Sequence, residues 1–366
     1  MRSGRGLATA ALLLLSWLAV GCASAPVVAP GVTGSAGFQH LHVDELGQRD
    51  RLWPAAPEPA RYRFVGQLTG EDNFPRPHAS LTRRFFRWLV GLGSRRLQRV
   101  ELQRPQGIYG DGAGRLYVTD VSRGAVYVFD DAQGRLQVWE MAAARTRFDT
   151  PIAITGLADG SLLVTDSKLG KVVRLSHDGV PQGYFADGEL ERPTGIARDA
   201  QRGRIYIADS RRHHIKVFDE QGQWLQTLGS PGDGAGQLNT PTHLHVGHDG
   251  SLYVSDTLNA RIQVFSAAGR PLQTVGRRGL FVGDMPRPKG VATDSHGHVY
   301  VLESYYDYLL VFDADGKFLL PIGGTGSGVG EFYLPAGMWI DDNTDRIFIV
   351  DGFNGRVVIL QYLGQA

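Results

Sequence analysis

The chain has 366 residues, 42% apolar and 20% charged. That is enough to bury a large core but long for one ordinary domain, so two domains or one repeat architecture are expected. A formal net charge of +1 is far from the strongly basic balance of a nucleic-acid-binding domain, and a single cysteine excludes an internal disulfide.

Residues 1–21 read as an export signal. Arg2 and Arg5 make a basic start, and Leu7 to Val20 is an apolar run too short and too early for a standard spanning helix. The run ends at Leu18-Ala19-Val20-Gly21-Cys22, which resembles the lipobox of bacterial lipoproteins, with Ala19 where leucine is commoner. The resemblance implies cleavage before Cys22, diacylation of its sulfur and acylation of the new amine. The alternatives are an ordinary signal peptide cut elsewhere and an anchor helix. Lipidation is preferred because it also accounts for the lone cysteine. Several acyl chains, at about 0.8 kcal/mol per buried CH₂, make a stable anchor. Ala23 follows the cysteine, and by the sorting rule of that family the lack of Asp there implies an outer-membrane lipoprotein.

Residues 22–59 contain Pro26, Pro30, Pro54, Pro57 and Pro59 among alanines and glycines, the composition of a flexible tether. The folded body is expected over 60–366. It is interrupted at 78–100 by an insertion in which Leu81, Phe85, Trp88, Leu89 and Leu92 recur at helical spacing opposite Arg83, Arg84 and Arg87. Three arrangements are open to such a helix: a lid over the channel, an anionic membrane surface, or a docked partner. The lid is preferred because a buried aromatic face then needs no outside molecule.

From residue 104 onward one unit recurs. A proline opens an apolar strand, a second strand ends in an acid, a polar loop leads to a third strand, and a glycine turn leads to a fourth. The opening prolines are Pro105, Pro151, Pro193, Pro241, Pro288 and Pro335, spaced by 46, 42, 48, 47 and 47 residues. Such periods indicate propeller blades. The last copy stops after its third strand, while Arg61 to Leu68 resembles an unattached fourth strand. The expected fold is therefore all-β, a six-bladed β-propeller whose ring is closed by an N-terminal strand, because an open ring leaves unpaired backbone at both ends. The copy from Thr240, with Pro241, Tyr253-Val254-Ser255-Asp256, Asn259 and Arg261-Ile262-Gln263-Val264-Phe265, resembles an NHL repeat. The linkers GSPGDGAGQLNTP and GGTGSGVGEFYLP match the glycine-rich stretch between NHL blades.

The acid ending each second strand is Asp120, Asp166, Asp209, Asp256, Glu303 or Asp351. Repetition in every blade points to turn capping rather than to one active site. Binding is expected instead on the loops joining second and third strands, at the mouth of the channel: Arg123, Lys168, Arg211, Arg212, His213, Asn259, Tyr305, Tyr306 and Asn354. His243 joins them because glycine or alanine fills its place in the other copies. It reads as a ligand-facing group, one metal ligand or, preferably, a hydrogen-bonded structural histidine. His245 is two residues on, but two histidines fall short of a zinc set.

No cofactor is expected. The stretch TGSGVG at 325–330 lacks the Lys-Ser and helix of a phosphate loop. The expected role is a membrane-anchored envelope scaffold binding a protein or small ligand, with no nucleic acid as partner. The alternative is a metal-dependent lyase or lactonase-like propeller enzyme. The similar peptide-amidating lyase binds zinc through histidines after the opening prolines, whereas Gln106, Ile152, Thr194, Thr242, Lys289 and Ala336 stand there. Glu303 keeps open an acidic metal centre of the lactonase type.

Overall fold

The computed structural model describes residues 51–74 and 99–364. They belong to one compact unit, Gly34–Ala366; a second unit, Met1–Thr33, lies outside the described residues. So do the expected signal peptide, Cys22, most of the tether and nearly all of the 78–100 insertion.

Six antiparallel sheets follow one another around a ring, each opening at one of the six prolines. Blade 1 consists of Pro105–Gly110, Arg115–Asp120, Ala125–Asp130 and Arg135–Trp139. Blades 2 to 5 repeat this order from Pro151, Pro193, Pro241 and Pro288. Middle strands are buried on both faces, as Arg115–Asp120 and Ala125–Asp130 are throughout. Their alternate residues therefore fill two different gaps between blades. Outermost strands face solvent on one side, as Trp224–Leu228 does.

Blade 6 is assembled from both ends of the described chain. Pro335–Asp341, Arg346–Asp351 and Arg356–Tyr362 are joined by Tyr62–Leu68, which pairs antiparallel from Tyr62↔Tyr362 to Leu68↔Val357. Closure by the N-terminal strand is as expected. The pairing begins earlier than expected, however: Leu52–Trp53, inside the segment read as tether, adds a fifth strand beyond it. The closing strand also fills both neighbouring gaps. Tyr62 packs with Tyr300, Leu309 and Ile322 of blade 5, and Leu68 with Leu116 and Phe129 of blade 1. The Tyr62 hydroxyl lies 3.1 Å from that of Tyr300, which donates to Asp294 at 2.8 Å.

The innermost strands approach so closely that most allow no side chain at their third position. A Cβ on Gly195 would lie 2.8 Å from the Thr242 carbonyl oxygen, and one on Gly290 would lie 2.7 Å from that of Ala336. Each strand bulges here, and hydroxyls replace ladder bonds. Thr119 Oγ1 donates to the Ile152 carbonyl at 3.0 Å, tying blade 1 to blade 2, and Thr257 Oγ1 donates to that of Pro288 at 2.9 Å, tying blade 4 to blade 5.

Deleting residues 51–68 should destabilise the protein by at least about 3 kcal/mol, since it uncovers an edge and removes two buried side chains of about 1.5–3 kcal/mol each. Thermal unfolding measures this, and an unchanged midpoint would contradict closure by this strand.

Candidate functional site: the loop face at the proline end

The loops from second to third strands and the linkers between blades all leave at the end where the prolines sit, because Pro105 pairs with Asp120 and its counterparts do likewise. The repeated acid is the clamp between these two loop sets. Asp120 accepts the N–H groups of Gln103 and Arg104 from the incoming linker at 2.7 and 2.9 Å, and those of Ser122 and Arg123 from the outgoing loop at 3.0 Å each. Asp166 and Asp209 do the same for their blades. Glu303 accepts from Arg287, Tyr305 and Tyr306 at 3.0, 2.9 and 2.8 Å. Burial pushes its carboxyl upward, and the three N–H groups and Arg287 oppose that shift. The residue that kept an acidic metal centre open thus has its oxygens taken by the backbone.

Blades 4 and 6 use a variant that the sequence reading missed. Their acids bind side chains of the same loop: Asp256 takes Asn259 Nδ2 at 2.7 Å and Arg261 Nε at 2.9 Å, and Asp351 takes Asn354 Nδ2 and Arg356 Nε, both at 2.8 Å. The same side chains hold the long glycine-rich linkers. Asn259 donates to the Gly232 carbonyl and Asn354 to that of Gly326, at 2.8 and 2.9 Å; Arg261 and Arg356 donate to further linker carbonyls. The linker amide left over is satisfied from the preceding blade, His213 Nδ1 accepting from Thr240 N at 2.9 Å and Asp307 Oδ1 from Leu334 N at 2.8 Å. His213 and Asp307 hold left-handed backbone with φ of 55° and 61°, as does Ala260 of blade 4 at 57°, where blades 1, 2 and 6 have Gly124, Gly170 and Gly355. Strain there is tolerated when surrounding contacts over-determine it. The signal for this device was the recurrence of Asp-x-x-Asn-x-Arg in the two blades that follow the glycine-rich linkers at 229–240 and 324–334.

The expected binding residues therefore divide. Asn259, Asn354 and His213 are loop braces. Arg123 pairs with Glu140, Lys168 with Asp149, and Arg211 and Arg212 with Glu191, at 2.9, 3.0, 2.7 and 3.4 Å. These pairs are solvent-exposed and contribute little to stability, about 0–1 kcal/mol each. Tyr305 is exposed and its ring meets that of Tyr306 edge-on, with centroids 4.8 Å apart. Of the ten, His243 alone lines the channel, where residues from all six innermost strands surround a cavity of about 50 Å³. The others sit further out, because the second strand, not the first, ends in their loop.

The His243 ring accepts from or donates to Thr242 Oγ1 through Nδ1 at 3.0 Å, and His245 Nε2 lies 2.9 Å from Thr293 Oγ1. Burial, with the nearby Lys289, lowers His243 to about 3, and burial, with His248, lowers His245 to about 4. Both are neutral at pH 7. Among the described residues no group of three or more His, Cys, Asp and Glu side chains converges as a metal site.

A second feature escaped the sequence reading. Leu258, Leu280, Phe281, Tyr305, Tyr333 and Phe353 are all exposed on loops of this face, Leu280 at 82% and Phe281 at 78%. All belong to blades 4 to 6 or the linkers leaving blades 4 and 5. Arg278 Nη2 donates to the Leu258 carbonyl at 2.7 Å, tying the linker of Leu280 and Phe281 to the neighbouring loop, and the Tyr333 and Phe353 rings meet at 5.0 Å. The signal was Leu280-Phe281-Val282 between Gly279 and Gly283, an apolar run in a linker.

Because the two imidazoles take protons in the unfolded chain near pH 6.5 but much lower in the fold, the unfolded state binds more protons between those values. Stability is therefore full above about pH 7 and falls as pH is lowered, each group approaching about 1.4 kcal/mol per pH unit. Urea unfolding at pH 7, 6 and 5 should show this decline, and the double variant His243→Ala, His245→Gln should show a shallower one. Equal slopes would contradict the neutral assignment.

Comparison with known proteins agrees with this architecture. A family model described as a 6-bladed beta-propeller matches residues 291–362, and the NHL repeat model matches residues 190–218. RING finger protein nhl-1 of Caenorhabditis elegans is 37% identical over 71 residues, which is 18% of this chain and 7% of that protein, so the likeness spans only a small part of its length. Virginiamycin B lyase from Staphylococcus aureus superimposes with a TM-score of 0.53 at 15% identity, over 71% of this chain and 96% of that one. Kuenenia stuttgartiensis hydrazine synthase does so with a TM-score of 0.54 at 17% identity, over 74% and 79%. At such identities the likeness to the two solved structures is one of fold. The chain is a six-bladed β-propeller, and residues 190–218 match the NHL repeat.

Proposed function

We propose that this protein is a lipid-anchored scaffold of the cell envelope, held by acylated Cys22 at the outer membrane, whose proline-end face docks a partner protein. The observation that carries the docking reading is the segregation of that face. Around blades 1 to 3 the loop charges Arg123, Lys168, Arg211 and Arg212 are matched by acids of the same molecule. Around blades 4 to 6 the loops present large apolar side chains to solvent. Grouped exposed apolar residues beside a polar rim are the usual composition of a protein-binding surface, with aromatic anchors supplying most of the affinity. The rigid blades below keep these loops in register, so little ordering entropy is lost on binding. The anchoring reading rests on the lipobox-like stretch and the lone cysteine.

Both parts are testable. Cys22→Ser should move the protein from the membrane to the soluble fraction, and unchanged sedimentation would contradict the lipid anchor. For docking, envelope proteins crosslinked to the native chain should be lost in the triple variant Phe281→Ala, Tyr305→Ala, Phe353→Ala. They should be retained when Lys168 and Arg211 are changed to alanine. Identical crosslinking by all three proteins would overturn the assignment of the apolar arc.

A further inference from the structure

The innermost strands set tiers of residues down the channel. Directly after the prolines stand Gln106, Ile152, Thr194, Thr242, Lys289 and Ala336, so Lys289 is the one charge in that tier. Below it come Gly107, Ala153, Gly195, His243, Gly290 and Gly337, and below those an apolar belt that includes Ile108, Leu244 and Met338. Lys289 therefore enters immediately above the cavity, and next to the one large polar residue that lines it.

Its ammonium has no hydrogen-bond or ion-pair partner among the described residues, although the residue is largely enclosed. Burial and then the positive charges of Arg287 and Arg192 depress it below the usual lysine range, and no carboxylate acts in the other direction. Arg287 comes from the residue before Pro288, with its guanidinium held on Ser304 at 3.1 Å. Arg192 precedes Pro193 in blade 3, two blades round the ring, and is exposed. The acids that could have neutralised this corner are spent elsewhere. Asp209 accepts Glu191 N and Arg192 N, Asp256 accepts Asn239 N, Asn259 and Arg261, and Glu303 accepts three N–H groups. One His243 nitrogen is engaged by Thr242 Oγ1; Nε2 has no partner among the described residues.

We propose that the channel mouth beside Lys289 is a binding site for a small anionic group, a phosphate or a carboxylate, which ion-pairs with Lys289 in the field of Arg192 and Arg287 and reaches His243 in the cavity below. An enclosed cation with two like charges and no counter-charge is held at a cost that a bound anion relieves. A charge-assisted hydrogen bond from the ammonium is among the stronger polar contacts available. The cavity of about 50 Å³ admits a group of a few heavy atoms, so the anion is either a small ion or the end of a larger ligand. The site goes beyond docking at the rim and does not depend on it.

Titration calorimetry of the full chain with inorganic phosphate and, separately, acetate, at constant ionic strength set by chloride, tests this. At least one of the two should bind, and the stronger names the group. Lys289→Met should weaken that binding tenfold or more, Lys289→Arg should keep most of it, and the exposed Arg192→Gln should weaken it several-fold without disturbing the fold. The triple rim variant should bind the anion as the native chain does, which separates this site from the docking surface. Binding of neither anion, or equal binding by native, Lys289→Met and Arg192→Gln proteins, would overturn the proposal.

Discussion

Six buried carboxylates, one per blade, hold the loop face in place. Each sits at the end of a second strand and accepts hydrogen bonds from the linker entering its blade. In four blades it also accepts backbone N–H groups of the next loop. In the other two it binds an asparagine and an arginine that extend the clamp to a long glycine-rich linker. Loops carry backbone polar groups that have no ladder to join, and an acid with several lone pairs is an economical partner for them. Without these clamps the loops would still be attached to a rigid ring, but their side chains would have no common frame.

That frame explains why the charged and apolar halves of the face differ in character. At blades 1 to 3 the linkers bring Glu140, Asp149 and Glu191 beside the loop cations. The linkers entering blades 4 and 6 have backbone carbonyls satisfied by Asn259, Arg261, Asn354 and Arg356, and large apolar side chains of the loops and linkers around blades 4 to 6 are left to solvent. The difference in linker sequence is thus also a difference in what the surface offers to another molecule.

The channel is governed by a separate constraint, the close approach of the innermost strands. Where Gly195 and Gly290 stand, a methyl group would meet the carbonyl of the next blade. His243 occupies the equivalent position because its side chain extends toward the cavity, and there burial keeps it neutral. Lys289 stands one tier above, without a counter-charge. The ionisable side chains of these two tiers, His243 and Lys289, therefore both lie on the side of blades 4 and 5.

Much of this was legible in the residue order. Opening prolines at a blade-length period, a terminal acid in each copy, and a spare strand at Arg61 to Leu68 specify six blades and the way they close, because alternation and spacing are local properties of the chain. The fifth strand at Leu52–Trp53 was not legible, since two residues among prolines carry no period and pair only because an edge is already there. Nor could sequence separate Asn259 and His213, consumed as braces, from Tyr305, left exposed: all are polar or aromatic loop residues, and only the tertiary structure decides which of them meets an unsatisfied backbone group. The same holds for Arg192 and Lys289. They lie 97 positions apart in the chain, and curvature of the ring alone puts their charges within reach of one another.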